Sequence, residues 1–462
     1  MQSDLLETCS KLFPDTLRHL SELVAIPSCS FPGYDSTHLE ESAQAVAAWF
    51  GEIGLPDVQI LRIEGIAPYV VARDHRAGAD KPTLLLYAHH DVQPPMREEL
   101  WASKPYVPTV RDGRLYGRGA ADDKAGIALH AASIQAWYQA FGSLPVNVTL
   151  LIEGEEEVGS DHLESFIQSH KELLAADAVV IADLANHDTG IPSLTVSLRG
   201  LVAVEIELRA LERPLHSGIW GGTVPDVVQG LCKIVASLTD AEGNLAIEGI
   251  SEGIIAPTES ELADWEGLPF DRETFARQAG IALEQAPLDA VDLGRRLWRT
   301  PALSVNGMQS GTKGKTGNVL MDTAWARLGI RIVPGMDPRE TMDRLCRHLH
   351  AAVPAGMNLS ISEESLAPSW GTATDHPLFA QARLALTEGY GTPPVAIGCG
   401  ASIPFVGAVT EALGGIPALL VGVEDPWCNA HSENESVHLG DLEKAIKSQA
   451  KLFGLCASGW QK

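Results

Sequence analysis

The sequence predicts an α/β protein: a main unit built on a mostly parallel sheet with helices on both faces, interrupted by a smaller inserted α+β unit. Three observations carry that expectation. Up to about residue 196, short and nearly all-apolar runs alternate with stretches of helical periodicity, the pattern of strands buried on both faces of a parallel sheet. From residue 196 the texture changes to apolar–polar alternation, as in a strand with one wet face. From about residue 397 long apolar pieces return. The simplest organisation is a discontinuous main unit, 1–196 and 397–462, with 197–396 inserted into it.

The elements follow in chain order. Leu5, Cys9, Leu12, Leu20 and Leu23 fall at helical spacing, and Pro27 ends that helix. A second amphipathic helix carries Ala43, Val46, Ala47 and Phe50. Three short strands come next, "DVQILRI", "PYVVARD" and "PTLLLYA". The glycine-rich "GRLYGRGAADDKAG" then leads into the helical "IALHAASIQAWYQAF". A buried-looking strand "VNVTLLIEG", a helix "LESFIQSHKELL" and a strand "DAVVIAD" complete the first part. In the inserted part, "SLRGLVAVEIELRAL" reads as a half-buried strand and "PDVVQGLCKIVASL" as a helix. A polar region rich in Glu and Asp separates them from the strand "ARLGIRIVPGM", the helix "PRETMDRLCRHLHAAV" and the strand "NLSISEE". The chain closes with "FVGAVTEALGGIPALLVGV" and a helix at 440–455.

Composition narrows the partners. With 34 Lys and Arg against 60 Asp and Glu, the net charge is −26, and a phosphate surface would repel such a chain. Nucleic acid and anionic membrane are therefore not expected partners. Seven cysteines, an odd number without a CxxC pair, argue against a disulfide framework and for a reducing compartment. The N-terminal stretch lacks the basic and apolar blocks of a signal peptide, so a cytoplasmic location is expected. "IPALLVGV" is far too short to span a bilayer.

The chemistry gathers where strands should end. In "AHHDVQP" residues two apart share a face, so His89 and Asp91 point one way and His90 the other. An aspartate beside a histidine can orient the imidazole or polarise its metal, although a solvated strand end would use the same residues. "GRGAADDKAG" sets Asp122 and Asp123 at the start of a helix. There a carboxylate serves either as a cap or as the shared ligand of two metals about 3.5–4 Å apart. "LLIEGEEEVGS" puts three glutamates at the carboxyl end of an apolar strand, a costly place for charge unless it is paired. One of them could bind metal while its neighbour acts as general base. Asp183 ends "VVIAD", His216 sits in "PLHSGIWGG" and His431 in "NAHSENE", each weak by itself. Together, 89/91, 122/123, 156/157 and 183 fall at successive strand ends, where open α/β sheets bind their ligands, and His431 lies in the returning segment. Two imidazoles and three carboxylates suit a dinuclear zinc site.

"YAHHDVQP", "YGRGAADDKAG", "EGEEEVGS", "LHSGIWGG" and "AHSENE" stand in the order seen in the dinuclear zinc peptidases and amidohydrolases. That family includes carnosinase, the cytosolic nonspecific dipeptidase, aminoacylase and succinyl-diaminopimelate desuccinylase. The resemblance runs from about residue 20 to the last helix, and "HxDVQP", "GRGxxDDKxG", "HSGxxGG" and "IRIVPGMDP" look most like the carnosinase and nonspecific-dipeptidase branch. It implies hydrolysis of the amide bond in dipeptides or similar small substrates, by a hydroxide held on two zinc ions (or manganese). An N-acyl-amino-acid deacylase is the alternative. A non-catalytic homologue would have lost a ligand or the base, and none is lost.

Residue by residue, the resemblance implies His89 and His431 as terminal metal ligands, Asp122 as the bridge, Glu157 on one ion and Asp183 on the other. Glu156 matches the general base, and Asp91 the residue that supports His89. Asp122–Asp123 falls where relatives have a cis non-proline peptide. The main unit would be the catalytic metal-binding domain, and 197–396 a lid and dimerisation domain whose His216 reaches the partner's active site in a homodimer. Arg331 and Asn318 match substrate-binding positions, the arginine suiting a substrate carboxylate, and Ser402 matches a loop near the substrate's C-terminal end. Two departures stand out: His90 replaces a small or apolar residue, and Cys428 precedes His431 by three positions.

Overall fold

The computed structural model describes residues 2–372, 374–400 and 405–460. Its large sheet has nine strands among these residues. The middle four, Asn147–Glu153, Thr83–His89, Ala178–Ile181 and Ala418–Leu420, run parallel to one another. Tyr69–Asp74 and Asp57–Leu61 extend one flank antiparallel. On the other flank Ser193–Leu198 lies antiparallel to Ala418–Leu420 and pairs with Val395–Cys399 and Trp370–Gly371.

Both faces of the sheet are covered, which is why its central strands are apolar at nearly every position. Leu84, Leu86, Val148, Leu150 and Val180 point into a core shared with helices Gln2–Val24, Thr37–Glu52, Lys124–Phe141, Pro377–Tyr390 and Leu439–Cys456. Leu85, Tyr87, Leu151, Val179 and Ile181 pack on the opposite side against Leu163–Ser169 and Phe405–Ala412. The alternation along each strand feeds two separate cores.

The inserted part forms an antiparallel sheet in the order Ala302–Gln309, Thr323–Ile332, Gly200–Arg209, Asn358–Ala367. Val202, Val204, Ile206 and Leu208 face helices Val227–Ala236 and Pro338–Ala351, while Glu205, Glu207 and Arg209 turn outward. The acidic stretch between them is helical, as Glu259–Glu266, Arg272–Ala279 and Ala290–Trp298. Each of these helices begins at a capping side chain, Thr258, Asp271 or Asp289.

The return to the large sheet comes earlier than the 397 expected from the sequence. Trp370–Gly371 already pairs with Ser193–Leu198. Helix Pro377–Tyr390 buries Leu378, Phe379, Ala382 and Ala385 in the main core. An amphipathic helix carries no mark of which unit it packs on, and the first long apolar strand of the returning segment comes only after it. No helix among the described residues is long and apolar enough to cross a membrane.

Candidate metal centre

The Thr83–His89 strand delivers His89, fully buried, at its carboxyl end. Asp91 returns to the same side: its Oδ1 is 3.3 Å from His89 Nδ1, and its Oδ2 accepts the Ser30 hydroxyl at 2.7 Å. His90 turns away and meets the Pro68 carbonyl through Nε2 at 2.9 Å. Burial holds the His90 imidazole below its ordinary pKa.

Asp122 and Asp123 take different roles, joined by a cis peptide bond. Asp123 caps helix Lys124–Phe141, its Oδ1 accepting the Gly126 N–H at 3.1 Å and its Oδ2 the His89 N–H at 3.3 Å. Asp122 stays outside the helix, with Oδ1 3.1 Å from His89 Nε2 and Oδ2 2.9 Å from His431 Nε2. One carboxylate therefore spans both imidazoles. The turn before it passes so close to the His89 loop that a Cβ on Gly119 (φ +79°) would lie 2.4 Å from Val92 Cγ1, which requires glycine there.

The turn Glu156–Val158 follows strand Asn147–Glu153. Its Glu156 and Glu157 N–H groups donate to the Asp91 carboxylate at 3.2 and 3.0 Å. Glu157 Oε2 lies 3.2 Å from His431 Nε2, and its carboxylate accepts two hydrogen bonds from Gln93, at 2.9 and 2.7 Å. Glu156 Oε2 stands 4.0 Å from His89 Nε2. Asp183, just past strand Ala178–Ile181, brings Oδ1 to 3.8 Å from the same nitrogen.

These donors fall into two sets: His89 with Asp183, which Asp123 joins and Asp122 approaches at 3.1 Å from His89, and Glu157 with His431 and Asp122. In the second set one ligand atom from each residue lies within 4.8 Å of the others. Glu424 forms a further group with Asp122 and Asp183 and was missed in the sequence, where it is one acid among many. The electrostatics fit cations. Burial, and then repulsion from neighbouring carboxylates, pushes Glu156 and Glu424 well above the carboxylate range and Glu157 to about 7. Burial lowers His89, but Asp183, Asp122 and Asp91 more than reverse this. Hydrogen bonds to Asp122 and Glu157 raise His431 to about 11. Such a surplus of buried carboxylates is what divalent ions would neutralise.

The other expected residues lie apart from the cluster. His216 is exposed on the two-residue ladder Leu215–His216 with Val319–Leu320, and Asn318 accepts the Ser217 N–H at 3.0 Å beside it. Arg331 is half-buried near the end of strand Thr323–Ile332, close to Arg199. Ser402 is outside the described residues. Cys428 is buried, and burial pushes its thiol far above the ordinary value, so it stays protonated.

Comparison with known proteins agrees with this architecture. Residues 85–454 match the model of Peptidase family M20/M25/M40. The chain belongs to that family and is a hydrolase of its metallopeptidase class. It is 32% identical over 441 residues to a cysteinylglycine-S-conjugate dipeptidase of Corynebacterium striatum, covering 94% of each chain. It is 31% identical over 461 residues to a Cys-Gly metallodipeptidase of Schizosaccharomyces pombe, covering 96% of each. The crystal structure of human carnosine dipeptidase 1 superposes with a TM-score of 0.86 at 25% identity, covering 99% of this chain and 98% of the other.

Proposed function

We propose that the chain is a metal-dependent dipeptidase whose centre holds two divalent ions, zinc or manganese. His89, Asp122 and Asp183 would hold one, and Asp122, Glu157 and His431 the other. The observation that carries this reading is Asp122, whose two oxygens face two different histidines. Bound there, the ions would supply Lewis acidity and lower the pKa of water.

The chain's own residues do the rest. Asp91 fixes the His89 ring and anchors the turn that bears Glu156 and Glu157. Glu156, held less tightly than its neighbour, takes a proton from the attacking water and returns it to the leaving amine. Its raised pKa, caused by burial and nearby carboxylates, suits both steps. Arg331 would bind the substrate carboxylate, Asn318 would enter the site beside His216, and a role for Ser402 near the substrate's C-terminal end is carried by the sequence resemblance alone. The inserted unit acts as lid and dimerisation domain: His216 stands exposed with Ile219 and Trp220, an apolar tip that a second copy would cover. From the partner subunit His216 would stabilise the oxyanion. Seven cysteines, an odd number without a CxxC pair, suit the cytoplasm.

The test is Glu156→Ala assayed on dipeptides beside N-acetyl and N-succinyl amino acids. Wild type should cleave the dipeptides. The variant should lose at least about 100-fold in kcat with its metal content unchanged. Preference for acylated amino acids would favour a deacylase, and an active variant would end the general-base assignment.

A further inference from the structure

Strand ends hold His89 and Asp183, but Asp122 and His431 come from turns. The His431 turn is an awkward one: Asn429, His431 and Asn434 have φ of +55°, +60° and +62°, a region that residues with a Cβ rarely enter. A buried ion pair lies directly behind both turns. Glu435 Oε2 accepts the Gly119 N–H at 2.8 Å and Arg118 Nη1 at 2.6 Å. Its Oε1 accepts the N–H groups of Ala121 and Asp122 at 2.9 and 3.1 Å. With four donors on two oxygens, this carboxylate is committed to the protein and is not itself a ligand.

Arg118 extends the connection. A second guanidinium nitrogen donates to the carbonyls of Ser432 and Pro94, both at 3.1 Å. The Glu435 carbonyl accepts the Gly117 N–H at 3.0 Å. Both side chains are sealed, at 1% and 0% exposure. The stretch after His89, the turn before Asp122 and the turn after His431 thus meet at one ion pair.

We infer that Glu435, braced by Arg118, is the positioning residue that holds Asp122 against His431, so that the Asp122–Glu157–His431 metal set depends on it more than the His89–Asp122–Asp183 set does. The inference rests on the dinuclear reading proposed above. A carboxylate that receives the Asp122 N–H fixes the backbone from which the bridging side chain projects. The same residue lies four positions after His431, and it receives its donors just beyond the end of the short ladder that pairs Ser436–His438 with Arg114–Tyr116. The strand-borne ligands have their own support in the large sheet.

Calorimetric titration of zinc into chelator-stripped protein tests this. Wild type should take up two ions. Glu435→Asp keeps the charge opposite Arg118 but shortens the reach by one methylene, and should weaken one of the two ions by about 10–100-fold, the cost usual for such supporting contacts. The other should move less than about threefold. In a His431→Ala background, which leaves a single ion, Glu435→Asp should change the remaining affinity by less than about threefold, because the set it supports is already gone. The pair Glu435→Gln with Arg118→Met removes both buried charges together, guards against misfolding from an unpaired arginine, and should show the same selective loss. Circular dichroism confirms folding of each variant. Folded variants that bind both ions as wild type does, or lose both equally, overturn the inference. Wild type binding fewer than two ions overturns the dinuclear reading, and this inference with it.

Discussion

Replacing Asp91 by asparagine is the most informative single change, because its effects can be worked out atom by atom. The side chain is sealed from solvent and carries four contacts. Oδ1 faces His89 Nδ1 and the Glu156 N–H; Oδ2 faces the Ser30 hydroxyl and the Glu157 N–H. An amide has one oxygen and one NH2. The less damaging orientation puts NH2 in place of Oδ2, where the Ser30 hydroxyl can reverse and accept. The Glu157 N–H then faces a donor and loses its acceptor. One charge-assisted hydrogen bond disappears, worth about 1.5–3 kcal/mol. The three that remain, the reversed Ser30 contact among them, fall toward neutral strength, so about 2–4 kcal/mol of local stability goes in all. That energy holds the turn bearing Glu156 and Glu157 and steadies the His89 ring, whose Nδ1 also keeps the main-chain carbonyl of residue 91 as an acceptor at 3.1 Å. Metal affinity should therefore fall by about 10–100-fold, and kcat should fall even at saturating metal. Urea unfolding of the metal-free protein, zinc titration and dipeptide turnover read the three effects. An asparagine variant within about twofold of wild type in both affinity and kcat, on the scale of about 1.4 kcal/mol per tenfold, would refute the argument.

Three more outcomes are expected. His89→Ala should lose bound metal by elemental analysis. His90→Ala should retain it and show only lowered thermal stability, because the His90 ring contacts Pro68 rather than the cluster. A mixture of Glu156→Gln and His216→Ala proteins, each inactive alone, should regain about one quarter of wild-type activity after subunit exchange if His216 works across a two-fold dimer; no recovery from a confirmed heterodimer would mean that His216 acts on the site of its own chain. Metal affinity should rise with pH. His431, raised to about 11 by Asp122 and Glu157, is protonated in the metal-free centre at neutral pH and must give up that proton. Because His89 is raised too and Glu157 titrates near 7, the expected slope is at least about tenfold per pH unit; affinities equal at about pH 6.5 and 8.5 in calorimetry would contradict it.

Strand alternation separated His89 from His90 without any coordinates, because a side-chain period of two is a property of the extended backbone itself. The glycines of "GRGAADDKAG" and the acids of "EGEEEVGS" marked strand ends for an equally local reason. The three helices between 259 and 298 were less legible, since their apolar faces are short and their caps are spread through acidic sequence. Asp122 and Asp123 could not be told apart by local pattern: both are acids at a helix start, and only the fold shows one spent on capping while the other faces two histidines.

By itself the sequence determined the α/β class, the acidic surface and the residue types gathered at the strand ends, since periodicity and composition act over a few residues. Only the tertiary structure decided that the inserted sheet ends near 367, that Glu424 joins the acidic cluster, and that Arg118 and Glu435 meet. Residues 118 and 435 stand far apart in the chain. Their pairing depends on strand Ser436–His438 lying against Arg114–Tyr116, a long-range contact whose partner no local pattern names.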